Sequence, residues 1–166
     1  IERDLRTVQS LGSQHDADTT VVDSYISHST YRKYWLVDQF ETYAGDLNSP
    51  KIAVLGLSYK ENTHSIKNSP SVAFLAKILR QRVQGSDVQV YDPVVKSLPE
   101  VLDVVFCQDA YEATTNVDLL FINTAWDQFR SLDLRKLVQT VRSGVIVDPF
   151  NLLGNELPDG LKHVTL

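Results

Sequence analysis

The densest run of chemistry-bearing residues is Ser58 to Asn68, Ser-Tyr-Lys-Glu-Asn-Thr-His-Ser-Ile-Lys-Asn, with two lysines and a histidine ahead of a helix start. Lysine brings a full positive charge, and the first N–H groups of a helix point outward unpaired, so both favour phosphate. The run exceeds the roughly 2–6 residues of an ordinary strand–helix connection. A binding role is therefore expected of it, the alternative being a solvated surface loop. The preceding run, Lys51-Ile-Ala-Val-Leu-Gly56, ends in glycine but continues Leu57-Ser58-Tyr59. The G-x-G-x-x-G fingerprint that brings a dinucleotide pyrophosphate against a helix is thus absent, and so is a P-loop. Asp92 closes the next apolar run, where an acid would hold an NAD ribose. Without the glycines it reads as a turn residue before Pro93.

Other reactive residue types read as structural. Cys107, the single cysteine, lies at a strand end among apolar neighbours and is expected to be a small core residue, not a nucleophile. One thiol excludes an internal disulfide and any multi-thiolate metal site. His15, His28, His64 and His163 show no metal-ligand spacing, so no metal is expected. Trp126 and Phe129 read as packing residues beneath a crevice.

The elements that must position these groups follow a simple alternation from residue 51 onward. Strands are expected at Lys51–Gly56, Asp87–Tyr91, Val104–Cys107, Val117–Asn123 and Val145–Asp148, with a sixth at His163–Leu166. Between them, a helix over Ser69–Gln84 has Ser69 as cap, Pro70 in its first turn and a stripe of Val72, Leu75, Ala76 and Leu79. Further helices open at Asp109 and span Leu132–Val141. Strands joined by right-handed crossover helices give an α/β fold, a Rossmann-like doubly wound parallel sheet. Its ligand crevice lies at the carboxyl ends of the first and fourth strands, beside Leu57–Pro70 and Thr124–Phe129. Residues 1–46 lack strand signals and read as two helices joined near Gly12–Asp18, with Asp46–Pro50 as the break before the sheet.

Composition limits the functional classes. The 166 residues are 43% hydrophobic and 22% charged, with a formal net charge of −5. Acidity argues against non-specific nucleic-acid binding, and no apolar run approaches the roughly 20 residues of a membrane span. The charged start of the chain is no signal peptide, and the lone cysteine suits a reducing compartment, so a cytoplasmic location is expected. The chain has no methionine, hence no initiator of its own, and is expected to be a fragment with a cut end at Ile1.

Lys51 to Pro70, KIAVLGLSYKENTHSIKNSP, closely resembles the opening of the carboxy-terminal domain of the UDP-glucose/GDP-mannose dehydrogenase family. Similar runs follow in order: Val90-Tyr91-Asp92-Pro93, Asp109-Ala110-Tyr111-Glu112-Ala113, Asn123 to Phe129 (NTAWDQF), and Val147-Asp148-Pro149-Phe150-Asn151. Together they span essentially all of residues 51–166. Ile1-Glu2-Arg3-Asp4 resembles the residues that follow the family's catalytic cysteine, which by this match falls just before Ile1. The resemblance implies two parts: 1–46 as the end of a central helical, dimer-forming domain, and 51–166 as a nucleotide-sugar-binding domain.

For chemistry, the resemblance implies NAD-dependent oxidation of the C6 alcohol of a UDP- or GDP-sugar to the uronic acid, within polysaccharide biosynthesis. Two molecules of NAD are reduced, with a cysteine thiolate carrying the aldehyde stage as thiohemiacetal and thioester. It implies that Asp4 is catalytic, positioning or activating water, the alternative being a helix-start carboxylate favoured by the dipole. Tyr59 and Lys60 match an aromatic-lysine pair that binds the nucleotide-sugar. Lys67 stands where the family has an arginine reaching toward NAD, and keeps its charge but not the bidentate fork. A homodimer through the central helices is implied for the parent protein. His64-Ser65 replace a usual acidic pair, Ala125 a frequent glutamate, and Phe150 an arginine that contacts substrate, so a divergent branch is expected. The alternative is a non-catalytic nucleotide-binding module of the same fold. A phospho-receiver module would need acids after the first strand, where Gly56-Leu57-Ser58 stands.

Overall fold

The computed structural model describes residues 2–81, 87–99, 102–154 and 156–166. Among them, six strands form one parallel sheet: β1 (Ile52–Leu55), β2 (Val88–Tyr91), β3 (Val105–Phe106), β4 (Val117–Ile122), β5 (Val141–Val147) and β6 (Lys162–Val164). Their spatial order is β3-β2-β1-β4-β5-β6, and every pair is parallel. The chain steps outward from β1 to β3, then returns to place β4 on the other side of β1. That reversal makes the β1–β4 junction the switch point of a doubly wound, Rossmann-like sheet.

The helices are α1 (Glu2–Gln14), α2 (Thr20–Ala44), α3 (Pro70–Gln81), α4 (Ala110–Ala113), α5 (Asp127–Arg130) and α6 (Leu134–Thr140). Successive residues of β1 face opposite sides of the sheet and are buried on both. Ile52 and Val54 join a core with Phe40 of α2 and Phe74, Leu75 and Ile78 of α3. Ala53 and Leu55 join a second core with Ala110, Ala113, Phe129 and Leu137. In the first core, Phe74 stands between Phe40 and Phe121, with ring centroids 6.3 and 4.7 Å apart. The final turns of α2, with Trp35, Leu36, Val37, Phe40 and Ala44, are thereby packed against the sheet.

Most expected elements are present with shifted ends. α3 begins at Pro70, and Ser69 Oγ accepts from Val72 N at 3.4 Å as the cap. Of its expected stripe only Leu75 is fully buried, while Phe74 and Ile78 face the core and Val72, Ala76 and Leu79 lie at its margin. This helix is apolar on most sides, so several stripes fit its periodicity and the bulkier side chains take the core. The expected end of that helix, 82–84, lies outside the described residues, as does Ile1. The two amino-terminal helices are joined at 15–19, near the expected place.

β5 starts at Val141, four residues earlier than its apolar run suggests. Its pairing passes from Val117↔Val141 to Leu119↔Val145, so residues 142–144 bulge opposite Asp118. Arg142 pairs with Asp118 at 2.9 Å and Ser143 Oγ donates to the Asp118 carbonyl, which gives this polar stretch partners at the strand.

Gly56 ends β1 at φ +92°, and its N–H donates to the Tyr91 carbonyl at 2.8 Å. A Cβ there would lie 2.5 Å from Thr124 Cβ and 2.6 Å from Thr124 Oγ1. Only glycine allows this approach of the β1 and β4 tips. Gly56→Ala is therefore expected to destabilise the fold by at least ~2 kcal/mol through backbone strain and overlap, read as a lowered urea midpoint.

Candidate functional site

The crevice at the switch point is organised by one carboxylate. Asp92 follows β2 and is 1% exposed. Its Oδ2 accepts from Leu57 N (2.7 Å), Ser58 N (3.1 Å) and Trp126 Nε1 (3.2 Å), and its Oδ1 from Val94 N and Val95 N (both 2.9 Å). The bonds tie the chain after β1, the turn after β2 and the segment after β4 to a single residue. Burial is the largest influence on this group and pushes its pKa up. The N–H groups of Val95, Leu57, Val94 and Ser58 together outweigh it and hold the carboxyl below the ordinary value. Lys96 Nζ donates to the Asp92 carbonyl at 2.9 Å and lies 5.3 Å from the Tyr91 ring centroid.

The polar loop rises from this base. Thr124 Oγ1 donates to the Ser58 carbonyl (2.9 Å), and Ser69 Oγ to the Leu57 carbonyl (2.7 Å), fixing both ends of the loop. Tyr59 N donates to the Ser65 carbonyl (2.8 Å), folding the loop on itself. Asn62 and Asn68 take positive φ at 58° and 60°, conformations that asparagine tolerates. The loop displays Tyr59, 54% exposed, with Lys60, His64 and Lys67 also exposed. Tyr59, Lys60 and Lys67 are thus brought onto one loop. Asp4 stands instead in the first turns of α1, exposed, with Arg3 Nε at 3.7 Å. α1 is held to α2 through Gln9 Nε2 and Asp23 Oδ1 at 2.6 Å.

Three buried polar atoms at this crevice are unused. Among the described residues, Ser58 Oγ and both amide atoms of Asn123 have no hydrogen-bond partner, although Ser58 is 1% and Asn123 5% exposed. Each such group costs about 1–3 kcal/mol. Asn123 and Ser58 were not distinguishable from their neighbours by residue type, because only the fold buries them. Asp92 fits its expected turn role, since its side chain caps Val94 and Val95, but its bonds to Leu57, Ser58 and Trp126 are long-range and leave no local pattern.

At the neighbouring tip, Asp148 follows β5 and is fully buried. Its Oδ1 accepts from Phe150 N (3.2 Å), and its Oδ2 from Leu153 N (3.1 Å) and faces His163 Nε2 at 3.0 Å. This turn leaves Phe150 44% exposed. Cys107 is half-buried against the second core. Burial, then the charges of Glu112 and Asp109, push its thiol pKa up, the opposite of activation. Two open concavities of about 460 and 600 Å³ lie along α1 and α2, lined by residues such as Arg6, Thr19, Asp23 and Tyr31. No unpartnered buried side chain marks them among the described residues.

A dinucleotide does not fit this switch point in the usual manner. Gly56 is closed against Thr124, no second glycine stands between it and Pro70, and Asp92 has given both oxygens to five protein donors. None of these groups is left for a ribose hydroxyl.

An all-parallel sheet of this order, with a polar loop carrying two lysines at its switch point, defines a Rossmann-like doubly wound class. Residues 53–155 match the UDP-glucose/GDP-mannose dehydrogenase family, UDP binding domain, and the chain belongs to that family. It is 30% identical over 159 residues to a UDP-glucose 6-dehydrogenase of Rickettsia conorii (strain ATCC VR-613 / Malish 7), covering 93% of this chain and 36% of the relative. It is 32% identical over 155 residues to a UDP-glucose 6-dehydrogenase of Rhizobium meliloti (strain 1021), covering 90% and 34%. The chain thus spans about a third of the length of these relatives. A solved UDP-glucose dehydrogenase from Pyrobaculum islandicum shares the fold at TM-score 0.73 and 22% identity, over 99% of this chain and 35% of that one.

Folding lowers the pKa of Asp92, so its stabilisation is fully present above the ordinary carboxylate value of about 3.9 and is lost as pH falls through the lower folded value. Asp92→Asn is expected to cost about 2–4 kcal/mol at pH 7, since an amide cannot accept from all five donors. Urea unfolding as a function of pH checks this. The gap between native and variant proteins should narrow as pH drops below about 4.

Proposed function

We propose that this chain is the nucleotide-sugar-binding part of an NAD-dependent nucleotide-sugar 6-dehydrogenase, which oxidises the C6 alcohol of a UDP- or GDP-sugar to the uronic acid. The observation that carries the reading is the cationic loop 58–69 held over the β1–β4 switch point in a chain whose residues 53–155 match a UDP binding domain. Lys60 neutralises the diphosphate, and Tyr59 offers a ring face to the sugar or base. Lys67 supplies a cation to NAD held by the rest of the parent protein, and Asp4 positions water at the reacting carbon. Residues 1–46 are the end of a central helical domain and 51–166 the nucleotide-sugar domain. The exposed Val8, Leu11, Val21 and Tyr25 of α1 and α2 support a homodimer through these helices in the parent, which acts in the cytoplasm in polysaccharide biosynthesis.

A second reading, a nucleotide-binding module without catalysis, is favoured by His64, Ser65 and Phe150, which change the charge around the crevice. The parent protein, given NAD and a panel of UDP- and GDP-sugars, separates the two. Two NADH per sugar with a uronic-acid product supports the dehydrogenase, and binding without turnover supports the module. For the chain itself, Lys60→Ala is expected to weaken UDP binding about tenfold, or about 1.4 kcal/mol. Calorimetry checks this, and the loss should shrink at high salt because the lysine is exposed.

A further inference from the structure

The unused polar atoms stand where the main chain is already fully engaged. Asn123 follows β4 immediately, and its N–H donates to the Leu55 carbonyl at 2.8 Å. The Ser58 backbone is equally fixed, its N–H on Asp92 at 3.1 Å and its carbonyl under Thr124 Oγ1 at 2.9 Å. Main chains are therefore committed on both sides of the switch point, while the Asn123 amide and the Ser58 hydroxyl remain unspent. The alternation of β4 offers an apolar solution at this place. Phe121 and Leu119, two and four residues earlier on the same side, are fully buried in the first core. An aliphatic residue at 123 would satisfy the fold better than an amide with no partner.

We infer that Asn123, with Ser58, is the polar floor of the ligand site and binds a group that donates and accepts hydrogen bonds side by side. The N–H beside a carbonyl on uracil or guanine has that character, and so do vicinal sugar hydroxyls. The inference rests on the nucleotide-sugar reading above. The 58–69 loop starts at this floor with Ser58, and among residues 59–68 only Ile66 packs against a core. Lifting the loop tip therefore exposes little apolar surface, and the ligand's own polar group completes the amide in return.

The test uses Asn123→Leu and the smaller Asn123→Ala in the full chain, with Tm and calorimetric affinities for UDP, UDP-glucose, GDP and GDP-mannose. The expected result is a Tm no lower than the native one for at least one variant, with affinity reduced about tenfold for a ligand the native chain binds. Loss already present with UDP or GDP assigns the floor to the base, and loss confined to the sugar nucleotides assigns it to sugar hydroxyls. Unchanged affinities in both variants would overturn the inference and leave the nucleotide-sugar reading standing. A lowered Tm in both would also overturn it, since the amide would then be paired within the free fold. No binding of any of the four ligands by the native chain would overturn the reading and the inference together.

Discussion

The architecture of this crevice depends on one buried carboxylate. Among the described residues no cationic side chain lies on the Asp92 oxygens; five N–H donors from three separate segments hold it. A buried charge is tolerable only when its acceptor sites are filled. That requirement fixes where Leu57 leaves β1, how the chain turns after β2 and where Trp126 stands after β4. The loop bearing Tyr59 and Lys60 then starts from a rigid point, although its own tip contributes little to either core.

This arrangement explains how the sheet keeps its form while departing from a dinucleotide site. In a glycine-fingerprint fold the approach of pyrophosphate to the backbone sets the first loop, and the acid after the second strand remains free for a ribose. Here the acid is consumed internally and Gly56, the one glycine between β1 and α3, is closed against Thr124. The first loop is consequently free to be long and cationic. The Asp148 turn repeats the device at the next tip, where a buried acid organises a turn and leaves an aromatic side chain exposed.

The alternation of apolar runs with helix-period segments was enough to read the parallel sheet, its switch point and the loop that matters, because burial on both faces leaves β1 and β4 almost purely apolar. The capping Ser69 was legible from local sequence, whereas α5 (Asp127–Arg130) was not expected and the helix expected over Leu132–Val141 runs over Leu134–Thr140. The start of β5 was not, since Arg142, Ser143 and Gly144 look like a turn until Asp118 on the facing strand supplies their partners. The core face of α3 was ambiguous because its apolar arc is broad, running from Phe74 and Ile78 round to Val72 and Ala76, with Lys77 and Arg80 marking a polar side. In the site, Lys60 and Lys67 were visible as charges on a long loop. The five-donor role of Asp92 and the unspent amide of Asn123 depend on contacts 34 or more residues apart, or on burial itself, and neither leaves a mark in spacing.

Binding of a nucleotide diphosphate over the β1–β4 switch point is read by titrating ¹⁵N-labelled chain with UDP and mapping amide shifts. Saturable changes are expected in Leu57–Ser69, Asp92–Val95 and Asn123–Gln128, with α1 and the amino-terminal half of α2 unmoved. Changes centred on those helices, or no saturable change at millimolar UDP, would contradict it.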